Sequence, residues 1–190
     1  MVGRKAITLN RLANGLAAVI FTLPLMANTV TYTYVGNDFN SVISPYTTSD
    51  SVTGWFMLAS PLAANMTLPP GGSNISPLSY SFSDGIQTFG SSSPPADITF
   101  EIATDGNGNI TEWDVALGNS TGSAVVTKND PGNPGIGVID VGILVPMETQ
   151  GQIQNDPGTW ISPEPGSWML AGAGLVAIAA VRRRFRRGTA

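Results

Sequence analysis

Two carboxylates, Glu112 and Asp114, stand two residues apart in the stretch "NITEWDVAL", a spacing that puts both on one face of a β-strand. Paired carboxylates carry out glycoside hydrolysis when they flank a cleft at about 5 to 9.5 Å. On the open face of a sheet, the same pair provides solvation and keeps an edge from pairing with another chain. The second reading is the expectation here, so no catalytic residue is assigned. The stretch "DGNGNITE" alternates Asp105, Asn107 and Asn109 like an oxygen-ligand loop. A calcium loop of the EF-hand kind needs Gly at its sixth position and Glu at its twelfth, where this chain has Ile110 and Ala116. A glycine-rich hairpin is expected instead, with no metal and no cofactor. Trp55, Tyr46 and Trp160 are the aromatic residues that can stack on sugar rings, and Trp55 is the candidate carbohydrate-binding residue. The competing expectation puts Trp55 in the core and Trp160 on a linker near a membrane surface, where Trp is common.

What is missing narrows the chemistry further. The chain has no Cys and no His, which excludes disulfides, thiol nucleophiles, His-based triads and zinc sites that use either residue. The formal charge of −4 hides a sharp division. Between Arg11 and Arg182 the only basic residue is Lys128, and the body over 28–162 sets twelve acids against it, a balance of about −11. A body so acidic repels phosphate backbones, so nucleic acid is excluded as a partner.

The elements that would position these residues read as strands. "TVTYTYV" (29–35) alternates Thr with Val or Tyr, the pattern of a half-buried strand. Further strands are expected at 51–59, 78–83, 86–89, 97–104, 109–117, 123–128 and 137–145. Pro and Gly clusters such as "LPPGGSNISP", "SSSPP" and "NDPGNPG" separate them. Asp84-Gly85 reads as a two-residue hairpin turn, and "DGNGN" joins two longer strands. Alternation then directs Ile98, Phe100, Ile102, Trp113, Val115 and Leu117 into the core. The expected fold is all-β, a single antiparallel β-sandwich or jelly-roll-like domain over 28–147. Residues 148–162, "ETQGQIQNDPGTWIS" with the preceding Met147 left in the domain, lack a hydrophobic period and read as a linker.

The basic residues collect at the two ends. Residues 1–27 place Arg4, Lys5 and Arg11 before an apolar run from Leu16 to Leu25 and then small residues, the order of a secretory signal peptide with cleavage after Ala27. At the other end an apolar run from Gly166 to Val181 precedes Arg182, Arg183, Arg184, Arg186 and Arg187. As a helix this run extends about 24 Å, short of the ~30 Å hydrocarbon core, so it inserts marginally. The arginines resist translocation and hold that end in the cytoplasm. Pro163, Glu164 and Pro165 stand just before the run. Proline fixes its own φ and pushes its predecessor toward extended backbone, giving a strip that a processing enzyme can grip.

The order Pro-Glu-Pro, Ser-Trp, a short Gly/Ala/Leu-rich span and clustered arginines, over 163–190, resembles the PEP-CTERM sorting signal of Gram-negative bacteria. "SFSDGIQTF" and "TDGNGNITEW" also resemble stretches in the bodies of a subset of such proteins. The resemblance implies recognition at Pro163, Glu164 and Pro165 by an exosortase, a temporary transmembrane helix over 166–181 and a membrane stop at the arginines. The signal peptide calls for signal peptidase as a partner, and the resemblance adds the exosortase-type enzyme and the inner membrane, with extracellular polysaccharide a further one. The implied destination is the cell surface or the exopolysaccharide matrix of a biofilm or floc. The expected function is a non-enzymatic structural or adhesive protein, with a carbohydrate-binding module at the same location as the alternative.

Overall fold

Strict alternation of inward and outward side chains builds the sheets. In the strand Ile110–Gly118 the buried residues are Trp113, Val115 and Leu117, while Glu112, Asp114 and Ala116 face out. The structure, a computed structural model, describes residues 29–132, 137–145 and 149–162. Among these the strands are β1 (Val30–Asp38), β2 (Ser41–Val42), β3 (Ser51–Leu58), β4 (Ser79–Ser83), β5 (Thr88–Gly90), β6 (Asp97–Thr104), β7 (Ile110–Gly118), β8 (Ala124–Asn129), β9 (Val138–Leu144), β10 (Thr149–Gln154) and β11 (Thr159–Ile161). The expected signal-peptide helix (1–27) and transmembrane helix (166–181) lie outside the described residues.

Two antiparallel sheets form, one ordered β11-β1-β3-β4-β5 and the other β2-β10-β9-β8-β7-β6. A jelly roll passes successive strands between its sheets. Here β3 to β5 and β6 to β10 each run as a meander within one sheet.

Aromatic rings join the two layers. Phe56 of β3 meets Phe100 of β6 edge-on at 5.8 Å, and Tyr34 of β1 meets Trp113 of β7 at 5.7 Å. Trp160 of β11 sits among Tyr34 (5.0 Å), Phe56 (5.2 Å), Trp113 (6.1 Å) and Phe82 (6.2 Å). Five of the six expected core residues are buried. Ile98 is the exception at 43 % exposure, because it lies next to the outer end of edge strand β6.

The expected linker at 148–162 is corrected by this fold: it supplies β10 and β11. In β10 the inward residues are Thr149, Gly151 and Ile153, alternating with Gln150, Gln152 and Gln154. The strand period is present with a single large apolar residue to reveal it. Gly151 must lack a Cβ because the Phe39 ring occupies that space, with Tyr46 behind it. Trp160, expected near a membrane surface, is instead the inward residue of β11.

Both expected hairpins occur, one with altered geometry. Ser83 pairs with Thr88, so the loop has four residues, Asp84 to Gln87, rather than two. The Asp84 side chain turns inward and its Oδ1 accepts from the amides of Ile86 (2.9 Å) and Gln87 (2.8 Å), holding the wider loop in place of a tight turn. At 105–109 the Asp105 amide donates to the Asn109 carbonyl at 2.9 Å, and Gly108 supplies the positive φ of 82°.

The eight-residue edge strand β6 would offer an open template for pairing. The segment between β3 and β4 covers it. The Asn74 side chain accepts from Ile102 N (2.9 Å) and donates to Ile102 O (2.8 Å), imitating a neighbouring peptide group. Ser73 Oγ accepts from Phe100 N at 2.9 Å and Met66 O from Thr104 N at 3.0 Å.

Candidate functional site

Trp55 stands on the outer face of β3 and is 36 % exposed. Its cross-strand neighbours are Thr33 on β1 and Ser81 on β4, whose short side chains leave the ring standing clear. The row continues to Ile161 on one side and Gly90 on the other. The adjacent row reads Thr159, Val35, Thr53, Ser83, Thr88. A shallow concavity of about 310 Å³ lies between them, lined by Thr33, Val35, Thr53, Trp55, Ser81 and Ser83 together with the backbone of Tyr34 and Gly54. No charged side chain stands in either row. Such a surface can stack a ring and exchange hydrogen bonds through hydroxyls, which both donate and accept.

The other two aromatic candidates point inward. Tyr46 is buried, packs edge-on against Phe39 at 5.9 Å and donates to Asp84 Oδ2 at 2.6 Å. Trp160 belongs to the aromatic centre of the core. Neither offers a face to a sugar.

Glu112 and Asp114 project from the outer face of β7 on the six-stranded sheet. Asp114 lies opposite Glu101 and Lys128, and the Lys128 ammonium donates to it at 2.6 Å. Partial burial works against the charged lysine, but the Asp114 hydrogen bond and charge outweigh it and raise the Lys128 pKa. A carboxylate held this way is committed to an ion pair. Asp105 is similarly engaged: its Oδ1 accepts from the amides of Asn107 (2.8 Å) and Asn109 (2.9 Å), and its Oδ2 from Asn109 Nδ2 (2.9 Å). These bonds lower its pKa, with the Asn109 side chain contributing most. Among the described residues no three acidic side chains converge as metal ligands would.

Two buried acids look like ordinary surface residues in the sequence. Asp140 of β9 is fully buried, and both its oxygens accept from the Tyr34 hydroxyl at 2.8 Å. Tyr34 in turn accepts from Gly158 N at 2.8 Å, while Trp113 Nε1 donates at 2.8 Å to Thr127, the cross-strand neighbour of Asp140. This chain of bonds ties both sheets to the β10–β11 loop. Burial raises the Asp140 pKa to about 6, opposed by the Thr127 and Tyr34 hydrogen bonds and assisted by the charge of Asp156. Asp84, also fully buried, collects Tyr46 and Gln87, and Gln87 Nε2 reaches across to Ile143 O (2.9 Å) and Ala124 O (3.1 Å). The available signal was an acid inside an apolar run, "GVIDVGILV".

The expected sorting residues Pro163, Glu164 and Pro165 and the arginines at 182–187 lie outside the described residues. Strand β11 ends at Ile161, so a single residue, Ser162, separates it from Pro163. The family model for the PEP-CTERM protein-sorting motif matches residues 163–184. No curated protein and no solved structure matches the chain. The chain therefore carries a PEP-CTERM protein-sorting motif directly behind the last strand among the described residues, the mark of an exported protein with a membrane-anchored sorting signal that an exosortase-type enzyme processes.

Proposed function

We propose that this protein is a non-enzymatic structural or adhesive component of the cell surface or exopolysaccharide matrix, with a β-sandwich as the delivered cargo. One observation carries the reading: the last strand among the described residues ends at Ile161 and the sorting motif begins at Pro163. Residues 1–27 would start export and be removed by signal peptidase. Residues 166–181 would hold the chain in the inner membrane, with Arg182, Arg183, Arg184, Arg186 and Arg187 as the stop. Processing would occur at Pro163, Glu164 and Pro165. Four residues, 162–165, span at most about 14 Å, so the enzyme would work close against a folded domain. The ion-paired Asp114 and the self-bonded Asp105 support a non-enzymatic body. A second reading, a carbohydrate-binding module displayed at the same place, draws on the exposed Trp55 ring.

Deleting residues 163–190 while keeping 1–27 tests this assignment. Fractionation of the producing cells should then find the body released into the periplasm and missing from the cell surface and medium. Undiminished delivery to the exterior would refute the proposal.

A further inference from the structure

The domain distributes its charge unevenly. Its balance of about −11 includes Glu101, Glu112 and Asp114 on the outer face of the six-stranded sheet. The two central rows of the five-stranded sheet hold none of it. Into that neutral surface the fold sets one large aromatic ring, Trp55, at 36 % exposure. Ser83 uses its hydroxyl on Gln87 O at 2.8 Å. The hydroxyls of Thr33, Thr53 and Ser81, around the Trp55 ring, bond no other described residue and are free to meet a ligand.

We propose that this face binds an uncharged polysaccharide, Trp55 stacking on a pyranose ring while the Thr33, Thr53 and Ser81 hydroxyls exchange hydrogen bonds with sugar hydroxyls. The proposal rests on the matrix reading above and names the partner of that adhesive surface. The concavity beside the ring, about 310 Å³, falls at the small end of ligand sites, which run from about 300 to 1,000 Å³. It is open along the sheet, as a polymer requires. Short Ser and Thr side chains lose little rotamer freedom on binding, and each hydroxyl can be donor or acceptor as the sugar demands. Charge selects among polymers: with no cation on this face and a net negative domain behind it, an anionic chain finds no counter-charge and meets a weak, salt-screened repulsion, while a neutral one is unopposed. A protein partner would favour a drier, more apolar centre than this concavity, where the Thr33, Thr53 and Ser81 hydroxyls flank the ring and Val35 is the one other exposed apolar side chain.

Binding of the purified full-length chain, held in detergent micelles, to a neutral β-glucan, a mannan, a galactan and the anionic polymer alginate tests the proposal. Retention on at least one neutral polymer and not on alginate is expected. Trp55→Ala should weaken that retention at least ten-fold at an unchanged melting temperature. Ser81→Asp, which places a charge beside the ring, should weaken it comparably. Retention on no neutral polymer, stronger retention on alginate, or indifference to both substitutions would overturn it. The measurement does not involve delivery, so failure here leaves the sorting assignment standing, and failure of sorting leaves this result standing.

Discussion

Read across the strands, the outer face of the five-stranded sheet runs Ile161, Thr33, Trp55, Ser81, Gly90. The corresponding row of the six-stranded sheet runs Glu101, Asp114, Lys128, Ile139, Gln154. Beneath them the two sheets share one aromatic core, so the difference reflects what each face meets rather than how the domain is held together. In the charged row Lys128 and Asp114 neutralise each other at 2.6 Å, leaving Glu101 as its uncompensated charge. The neutral row leaves its ring and hydroxyls unspent. Stability and binding should therefore separate by face.

The largest effect should come from the core that both faces share. Trp113→Ala or Phe100→Ala removes a ring that is at most 4 % exposed and should cost about 3 to 5 kcal/mol. Both faces would be lost together, as chemical denaturation would show. Retention of the full melting temperature by either variant would break the shared-core premise.

Next in size is a pH effect at the junction of the sheets. Asp140 holds its proton more tightly in the folded protein, at a pKa of about 6 against an ordinary value of 3.8. Its contribution to stability is thus fully present below the unfolded value and is lost as pH rises from about 4 through 6, worth roughly 2 to 3 kcal/mol. Asp140→Asn should flatten the stability profile over that window relative to the parent. Parallel profiles from pH 4 to 7 would contradict the assignment.

Asn74→Ala strips the imitation peptide group from edge strand β6. The expected cost is about 1 to 2 kcal/mol, accompanied by concentration-dependent self-association in light scattering as the edge is uncovered. Smallest is Lys128→Met on the charged face, expected to change stability by at most about 1 kcal/mol. It should leave any binding at the Trp55 face untouched. A loss of binding in this variant would merge the two faces into one surface.

Alternation and turn residues made eight of the eleven described strands legible, β1 and β3 to β9, from "TVTYTYV" to "GVIDVGILV". Alternation failed at β10 because its inward positions are Thr149, Gly151 and Ile153, chosen to fit Phe39 and Tyr46 rather than to look apolar. β11 has three residues, too few to show a period, and Trp160 gave no sign of its direction. Trp55 was legible as a candidate because tryptophan in a strand is either core or contact. The hydroxyl rows around it were not, since only strand register brings Thr33, Trp55 and Ser81 side by side. Asp84 carries no sign of burial in the sequence and Asp140 only its place inside an apolar run, because their partners Tyr46 and Tyr34 stand 38 and 106 residues away.

The most direct measurement of the central claim is intact-mass spectrometry of the protein recovered from the cell exterior. The account predicts a chain that has lost its arginine cluster and ends at or near Pro165. A chain still bearing Arg182 to Arg187, and found only in membranes, would contradict it.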